Sequence, residues 1–281
     1  MTSLCNEYWQ FFLAQGIVLG AGLSLTYSSL PHSELTCSFQ TAICCLNTWF
    51  LKKRGMAMGL MVSGSSLGGV CFPIMLKRLF DTVGFGWAVR AAGFLIFGLL
   101  CIANFLVRSR LPPPGWTKGR EIVDIKALTD PVFLCIIGAS YFVYWGLFTP
   151  FTFLTTYGES YGMSSSLSFY LISIMNAASI VGRILPGFLA DKTGAFNIQV
   201  IFTAVMSLSI FAYWTPSHNN AAIITFGLFF GFVSGAFISL FPVCCAMVSP
   251  IKKIGARYFL SCLAVLILDL DCCQGSAVLQ R

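Results

Sequence analysis

Charged residues are scarce in this chain, and their scarcity excludes most classes of soluble protein. Of the 281 residues only 10% are charged, whereas 57% are hydrophobic. A soluble domain of this size carries about 25% charged residues. Long apolar stretches with so few charges are typical of a membrane protein. We therefore expect an all-α membrane protein whose chain crosses the bilayer several times.

The sequence also lacks the patterns that metal sites and active sites require. No C-x-x-C pair occurs among the 12 cysteines, and several cysteines lie inside apolar runs, where they act as small hydrophobes. His32 and His218 lie in predicted loops without an evident partner, and there is no P-loop and no Ser–His–Asp pattern. We expect no enzyme activity, no metal and no cofactor. The net charge is +7, but the basic residues lie between apolar runs, so they do not indicate a nucleic-acid partner.

Seven apolar runs are long enough to cross a bilayer, which needs about 20 residues. The runs cover residues 9–31, 55–76, 87–107, 131–157, 163–190, 195–215 and 221–249. A weaker run covers 38–51. The longest polar connection, 108–130, contains three consecutive prolines, which end a helix and stiffen the chain. We place the boundary between two bundles of helices in this connection.

The loops differ in their content of lysine and arginine, which predicts their side of the membrane. Basic residues occur at 52–54, in 108–130, at Lys192 and in 252–257, all of which alternation of the runs puts on one side. No lysine or arginine occurs in the loop at 157–166 or in the loop that follows the apolar run 195–215. Lys77, Arg78 and Arg90 are a partial exception. The asymmetry favours a cytoplasmic location for the basic loops.

Arg183 is the strongest candidate for a polar function inside the bilayer. Asn176, Ser179 and Arg183 share one helical face, which is too polar for lipid and should line a cavity or a helix interface. One interpretation is that the guanidinium binds a carboxylate of the substrate. The other is that Arg183 snorkels or binds a neighbouring carbonyl. Aromatic residues crowd 141–157, and Tyr144 among them could line a path for an amphipathic solute, although a structural role is the simpler interpretation.

Four stretches together resemble the monocarboxylate porter family of the major facilitator superfamily, especially its fungal branch. The loop GFLADKTG (187–194) is similar to the superfamily motif G-x-L-A-D-R/K-x-G. The four stretches are WFLKKRGMAMGLMVSGSSLGG (49–69), GFGWAVR (84–90), SIVGRILPGFLADKTGAFN (179–197) and FGLFFGFVSGAFISLFPVC (226–244). The resemblance covers about 9–31 and 49–257.

The resemblance implies a partial major facilitator fold. That family has twelve helices in two halves with the substrate site between them, and about seven helices here resemble helices four to ten. We expect a chain truncated at both ends. The expected parts are a partial N-terminal bundle over 1–107 with an insertion at 32–45, a cytoplasmic linker over 108–130, a partial C-terminal bundle over 131–257 and a divergent tail over 258–281.

The implied function is secondary active transport of a small organic acid or an amphipathic metabolite by alternating access, in the plasma membrane rather than an internal one. The alternative is a non-transporting or degenerate fragment of such a transporter. Arg183, Asn176, Ser179 and Tyr144 are the candidate substrate-binding residues. Animal members carry an aspartate four residues before the arginine, but Ser179 stands there, so proton coupling through that pair is not implied.

The motif residues Gly187, Asp191, Lys192 and Gly194 are the candidate gating residues on the cytoplasmic side. Asp191 is expected to accept hydrogen bonds from the N-terminus of a helix in the other half, where the helix dipole favours an anion. Gly187 and Gly194 are expected to allow close approach of the backbone and a tight turn.

Overall fold

The computed structural model describes three long stretches of the chain, and all regular secondary structure in them is helical. The described residues are 52–106, 129–214 and 219–250, together with 42–43, 46–47, 49–50, 127, 216, 254, 257–258 and 260–261. No strand occurs in these residues. The all-α class predicted from the composition is therefore confirmed.

Some expectations concern positions that lie wholly or mostly outside the described residues. They are the apolar run 9–31, the insertion 32–45, the linker 108–130, the tail 258–281 and the loop histidines His32 and His218. The expected division into two half-bundles joined by a linker stays a prediction.

The first long helix, α1, runs from Arg54 to Leu106 with one sharp break. At the break, Gly84 has φ +76° and ψ 167°, a left-handed conformation that favours glycine. An unbroken helix of 53 residues would be about 80 Å long, well over twice the thickness of the hydrocarbon core. The break divides α1 into the two predicted spans, 55–76 and 87–107.

The chain divides into two compact units, and α1 contributes to both. The larger unit comprises Phe50–Val70 and Val123–Arg281, and the smaller comprises Met1–Trp49 and Cys71–Ile122. All residues of the candidate site described below lie in the larger unit, which contains the first 17 positions of α1.

Four more helices follow in the larger unit, and their bounds agree with the predicted runs to within three residues. They are α2 (Pro131–Ser160), α3 (Ser165–Thr193), α4 (Ala195–Ser209), which ends in a π-helical turn (Ile210–Trp214), and α5 (Asn220–Val248). Together with α1 they give five helices in the described residues that are long and apolar enough to cross a membrane. The predicted spanning segments in this part of the chain are thus confirmed.

Helix α3 packs closely against α5 through glycines. A Cβ atom at Gly182 of α3 would overlap the carbonyl group of Phe232, and one at Gly231 of α5 would overlap that of Met175. A Cβ atom at Gly235 would lie 2.8 Å from the carbonyl oxygen of Ser179 in α3. Small residues let backbones approach where lipid supplies no hydrophobic drive between helices. This pair forms the core on which the candidate site is built.

Candidate functional site

The candidate site is the interface between the first part of α1, residues 55–69, and the second half of α3, residues 176–191. We call it the α1–α3 interface. The two segments run antiparallel, because Gly55 contacts Asp191 at one end and Gly69 contacts Asn176 at the other. Four polar candidate residues of α3 lie along this interface: Asn176, Ser179, Arg183 and Asp191. The interface extends over about 20 Å at 1.5 Å per residue.

Asp191 occupies the end of the interface that is predicted to face the cytoplasm. Its Oδ1 accepts a hydrogen bond from the backbone N–H of Gly55 at 2.8 Å, and its Oδ2 accepts one from that of Met56 at 2.9 Å. The first N–H groups of a helix have no partner within the helix, and the helix dipole adds positive potential there. The structure therefore contains the expected contact between Asp191 and a helix N-terminus. Its role in gating stays a prediction.

Two glycines make this contact sterically possible. A Cβ atom at Gly55 would lie 2.5 Å from the carbonyl oxygen of Gly187 and 3.0 Å from Oδ1 of Asp191. The backbones of α1 and α3 thus touch at this crossing, as the close approach expected for Gly187 requires. Gly194 ends α3 and has φ +98°, the turn conformation expected for a glycine at that position. A side chain at either crossing glycine would push Asp191 away from its donors.

Lys192 is not part of the interface with α1. Its side chain is exposed, and the Nζ atom lies 4.5 Å above the centre of the Phe188 ring, one turn earlier on α3. The ammonium group therefore stands over an aromatic face at the outer surface of the helix. The sequence motif groups Lys192 with Asp191, but the two side chains point to different surroundings.

Arg183 is buried in the middle of the α1–α3 interface, with 5% of its surface exposed. Its Nη1 donates hydrogen bonds to the carbonyl oxygen of Val62 at 2.6 Å and to Oγ of Ser65. Its Nε is buried and has no hydrogen-bond partner among the described residues. The arginine binds a neighbouring carbonyl, as one of the two sequence interpretations expected. The remaining guanidinium nitrogens keep donor capacity, so the substrate interpretation also stays open.

Ser179 and Asn176 continue the same face toward the N-terminus of α3. Oγ of Ser66 donates to Oγ of Ser179 at 3.3 Å, and both serines are buried. The amide of Asn176 donates to the carbonyl of Ile172 in its own helix at 3.0 Å, and its side chain fills the space beside Gly69. The polar face predicted from helical spacing thus contacts α1 rather than lipid.

Tyr144 reaches the site from α2. Its ring packs edge-on against Phe237 of α5, with ring centroids 5.1 Å apart, and also against Phe241. Arg183 also adjoins α5, because Ser239 donates a hydrogen bond to its backbone carbonyl at 3.3 Å. The aromatic wall formed by Tyr144, Phe237 and Phe241 suits an apolar body, and the guanidinium of Arg183 suits an anion.

The residues that α1 contributes were not predicted as site residues. They are Gly55, Gly59, Val62, Ser65, Ser66 and Gly69. A Cβ atom at Gly59 would overlap the carbonyl group of Arg183, so this glycine is required for the contact. The signal was present in the stretch 49–69, where small residues recur every three or four positions. Such spacing predicts a helix contact but does not name the partner helix.

A second polar contact lies near the start of α2. Asp130 caps α2 by accepting from the N–H of Val132 at 3.2 Å, and it also forms an ion pair with Arg257 at 3.4 Å. The guanidinium of Arg257 lies 5.2 Å from the centre of the Phe133 ring. Since Asp130 ends the linker 108–130, this contact agrees with the prediction that the linker and the loop 252–257 share one side of the membrane.

Comparison with known proteins links this chain to one superfamily. Residues 35–266 match the Major Facilitator Superfamily. The chain is 44% identical over 259 residues to MFS-type transporter 1 of Ophiocordyceps sp., a match that covers 92% of this chain and 54% of the relative.

Two further relatives are named for what they export. The chain is 41% identical over 247 residues to the aspyridones efflux protein of Emericella nidulans, covering 88% of this chain and 47% of the relative. It is 38% identical over 284 residues to the fujikurins efflux protein of Gibberella fujikuroi, covering 100% and 58%. The chain therefore spans about half the length of these curated relatives.

Proposed function

Because the chain belongs to the major facilitator superfamily, we propose that it acts in secondary active transport of small organic acids or related amphipathic metabolites by alternating access. Transporters of this kind bind the substrate near the middle of the membrane, between two bundles that rock against each other. The observation that carries the proposal is the α1–α3 interface, which brings Arg183 and a helix-capping aspartate into one continuous contact.

The contacts of the α1–α3 interface suit a gate that opens and closes. Asp191 binds two backbone N–H groups, and Arg183 binds a carbonyl and a hydroxyl, so each contact is a small number of hydrogen bonds between rigid helices. Each such bond contributes about 1 kcal/mol net, or about twice that where a charge is involved. A substrate that binds one state better than the other can supply a free energy of that size.

The substrate class follows from Arg183 and Tyr144. A buried guanidinium favours an acid, and the aromatic wall beside it favours an apolar or aromatic body. The relatives named as efflux proteins for aspyridones and fujikurins favour export of an amphipathic metabolite over uptake of a simple monocarboxylate. We place the transporter in the fungal branch of the monocarboxylate porters and in the plasma membrane. Proton coupling, if present, requires a group other than Ser179.

A direct transport assay tests the proposal. Because the chain spans about half the length of its curated relatives, a protein completed to their length would be reconstituted into liposomes, here and in the transport measurements below, and uptake of labelled lactate, pyruvate and a panel of larger aromatic acids would be measured. The 281 residues alone would be assayed beside it, and we expect no transport from them. From the completed protein we expect saturable transport of at least one amphipathic acid and weaker transport of lactate. A panel without any saturable transport, from protein that is monodisperse and helical, would contradict the proposal.

The replacement Asp191→Asn is expected to weaken the gate contact. The amide keeps one acceptor oxygen but turns an N–H donor toward Gly55 or Met56, and the charge that favours the helix N-terminus is lost. Losing a helix cap costs about 1 kcal/mol, so hydrogen exchange of the Gly55 and Met56 amides should become roughly five to ten times faster. Hydrogen–deuterium exchange of a peptide that starts at or before Lys52 measures this rate, because the amides at the very start of a peptide lose their label.

The matched control for this experiment is Asp81→Asn. Asp81 is an exposed carboxylate on α1, and the exchange rate at Gly55 and Met56 should not respond to its replacement. If both variants change the exchange rate equally, or if neither does, the cap has no specific role in holding the interface.

A further inference from the structure

A shallow apolar groove lies on the outer side of the α1–α3 interface. It has a volume of about 350 Å³ and is lined by Met56 of α1 and by Val181, Ile184, Leu185 and Phe188 of α3. The lining has almost no polar surface. From Val181 to Phe188 the groove extends about 10 Å along α3, given 1.5 Å per residue.

The groove faces outward from the helices that form it. Val181 is 55% exposed, and Leu185 and Phe188 are each 47% exposed, although both helices are apolar enough to cross a membrane. Apolar side chains exposed on a spanning helix contact lipid or another helix. The groove lies beside the close contact of the two helix backbones at Gly55 and Gly187, and its apolar lining along α3 suits an acyl chain.

The end of the groove that is predicted to face the cytoplasm carries positive charge. Lys192 stands over the ring of Phe188, which forms the last part of the groove. Lys52 and Lys53 are exposed and precede Met56 by one helical turn. The nearest carboxylate, Asp191, has both oxygens bound to backbone N–H groups of α1, so it offsets the helix dipole there. The helix ends next to Met56 and Phe188, which line one end of the groove, thus carry three exposed lysines.

We propose that this groove is a binding site for an anionic phospholipid of the cytoplasmic leaflet. The acyl chain lies between Met56 and Phe188, and the headgroup phosphate binds Lys192 together with the lysines before α1. Basic residues beside the cytoplasmic leaflet attract anionic lipids, which favours a lipid over an uncharged transmembrane helix as the occupant. Because the acyl chain touches both α1 and α3, the lipid stabilises the α1–α3 interface.

Native mass spectrometry of the purified 281-residue chain tests the proposal, and the test does not depend on transport. The protein would be stripped of lipid in detergent and titrated with phosphatidylserine or with phosphatidylcholine of the same acyl composition. We expect the first bound lipid to favour phosphatidylserine by roughly fivefold for each lysine engaged. Equal binding of the two lipids by the unchanged protein would overturn the proposal.

Two variants locate the site. Lys192→Gln should lower the preference for phosphatidylserine by roughly fivefold while keeping binding of the acyl chain. Val181→Trp should fill the groove and reduce the first adduct of both lipids. The expected results thus separate the headgroup contact from the apolar contact.

Each variant has a matched control outside the groove. Arg90→Gln removes another basic group, one whose guanidinium lies 5.0 Å from the centre of the Trp87 ring, and Val200→Trp adds the same bulk at a valine of α4 that is 67% exposed. Arg90→Gln should keep the lipid preference of the unchanged chain, and Val200→Trp should keep the amount of its first lipid adduct. If each control changes its readout as much as the matched groove variant does, or if neither groove variant changes its readout, the lipid does not bind in this groove.

Discussion

Replacing Gly182 by alanine is expected to destabilise the protein. The loss of stability should be larger than that caused by adding a single methyl group at any other position in the described helices. A Cβ atom at this position would overlap the backbone carbonyl of Phe232, and a backbone group cannot turn aside as a flexible side chain can. The two helices must move apart, and the contacts at Gly231 and Gly235 loosen with them. Overpacking of a tight core costs about 1–3 kcal/mol, and more where backbone must shift. The midpoint of thermal unfolding in detergent measures the loss.

The control for Gly182→Ala has the opposite expected sign. Gly138 lies inside α2, and a Cβ atom there would meet no other atom within 4 Å. Alanine is favoured over glycine in a helix interior by up to about 1 kcal/mol, so Gly138→Ala should leave the midpoint unchanged or raise it. A fall in the midpoint for Gly138→Ala as large as that for Gly182→Ala would show that the α3–α5 contact is not the cause.

The helices of this part of the chain were predictable because the sequence marks their ends. Lys192 and Gly194 separate the run 163–190 from the run 195–215, and the structure ends α3 at Thr193 and begins α4 at Ala195. The break in α1 was also predictable, since Gly84 lies between two apolar runs. Charges and glycines are local signals, so they fix where a helix ends. They carry no information about which faces of two helices meet.

Only the residues that α3 contributes to the α1–α3 interface could be predicted from the sequence. Helical spacing puts Asn176, Ser179 and Arg183 on one face, and the structure has all three at the α1–α3 interface. The partners on α1 could not be named, because Arg183 binds a backbone carbonyl, that of Val62, and every residue carries one. The glycines of α1 gave the one local hint, but plain packing against any neighbour would produce the same spacing.

The replacement Arg183→Ala is expected to abolish saturable transport, whereas Arg183→Lys keeps part of it. A guanidinium is a planar fork with five donors, and Nη1 alone binds Val62 and Ser65, so other nitrogens stay free to bind a substrate carboxylate. Lysine offers one compact charge and cannot make both sets of contacts. Removing one partner of a buried charged pair costs about 2–5 kcal/mol, so the Kd for a transported acid should rise by about thirtyfold or more in the alanine variant.

The variant Ser65→Ala separates the substrate contact of Arg183 from its contact with α1. It removes one acceptor of Nη1 but leaves the guanidinium in place, and a single hydrogen bond contributes about 1 kcal/mol. We therefore expect Ser65→Ala to lower the midpoint of thermal unfolding slightly and to leave the Kd for the acid within about a factor of three, because it loses none of the substrate contacts. Arg183→Ala should raise that Kd strongly and lower the midpoint further, because it loses both contacts of Nη1 with α1. If Arg183→Ala binds the acid as well as the unchanged protein does and loses only thermal stability, Arg183 serves the α1–α3 interface alone, and the anion must bind elsewhere.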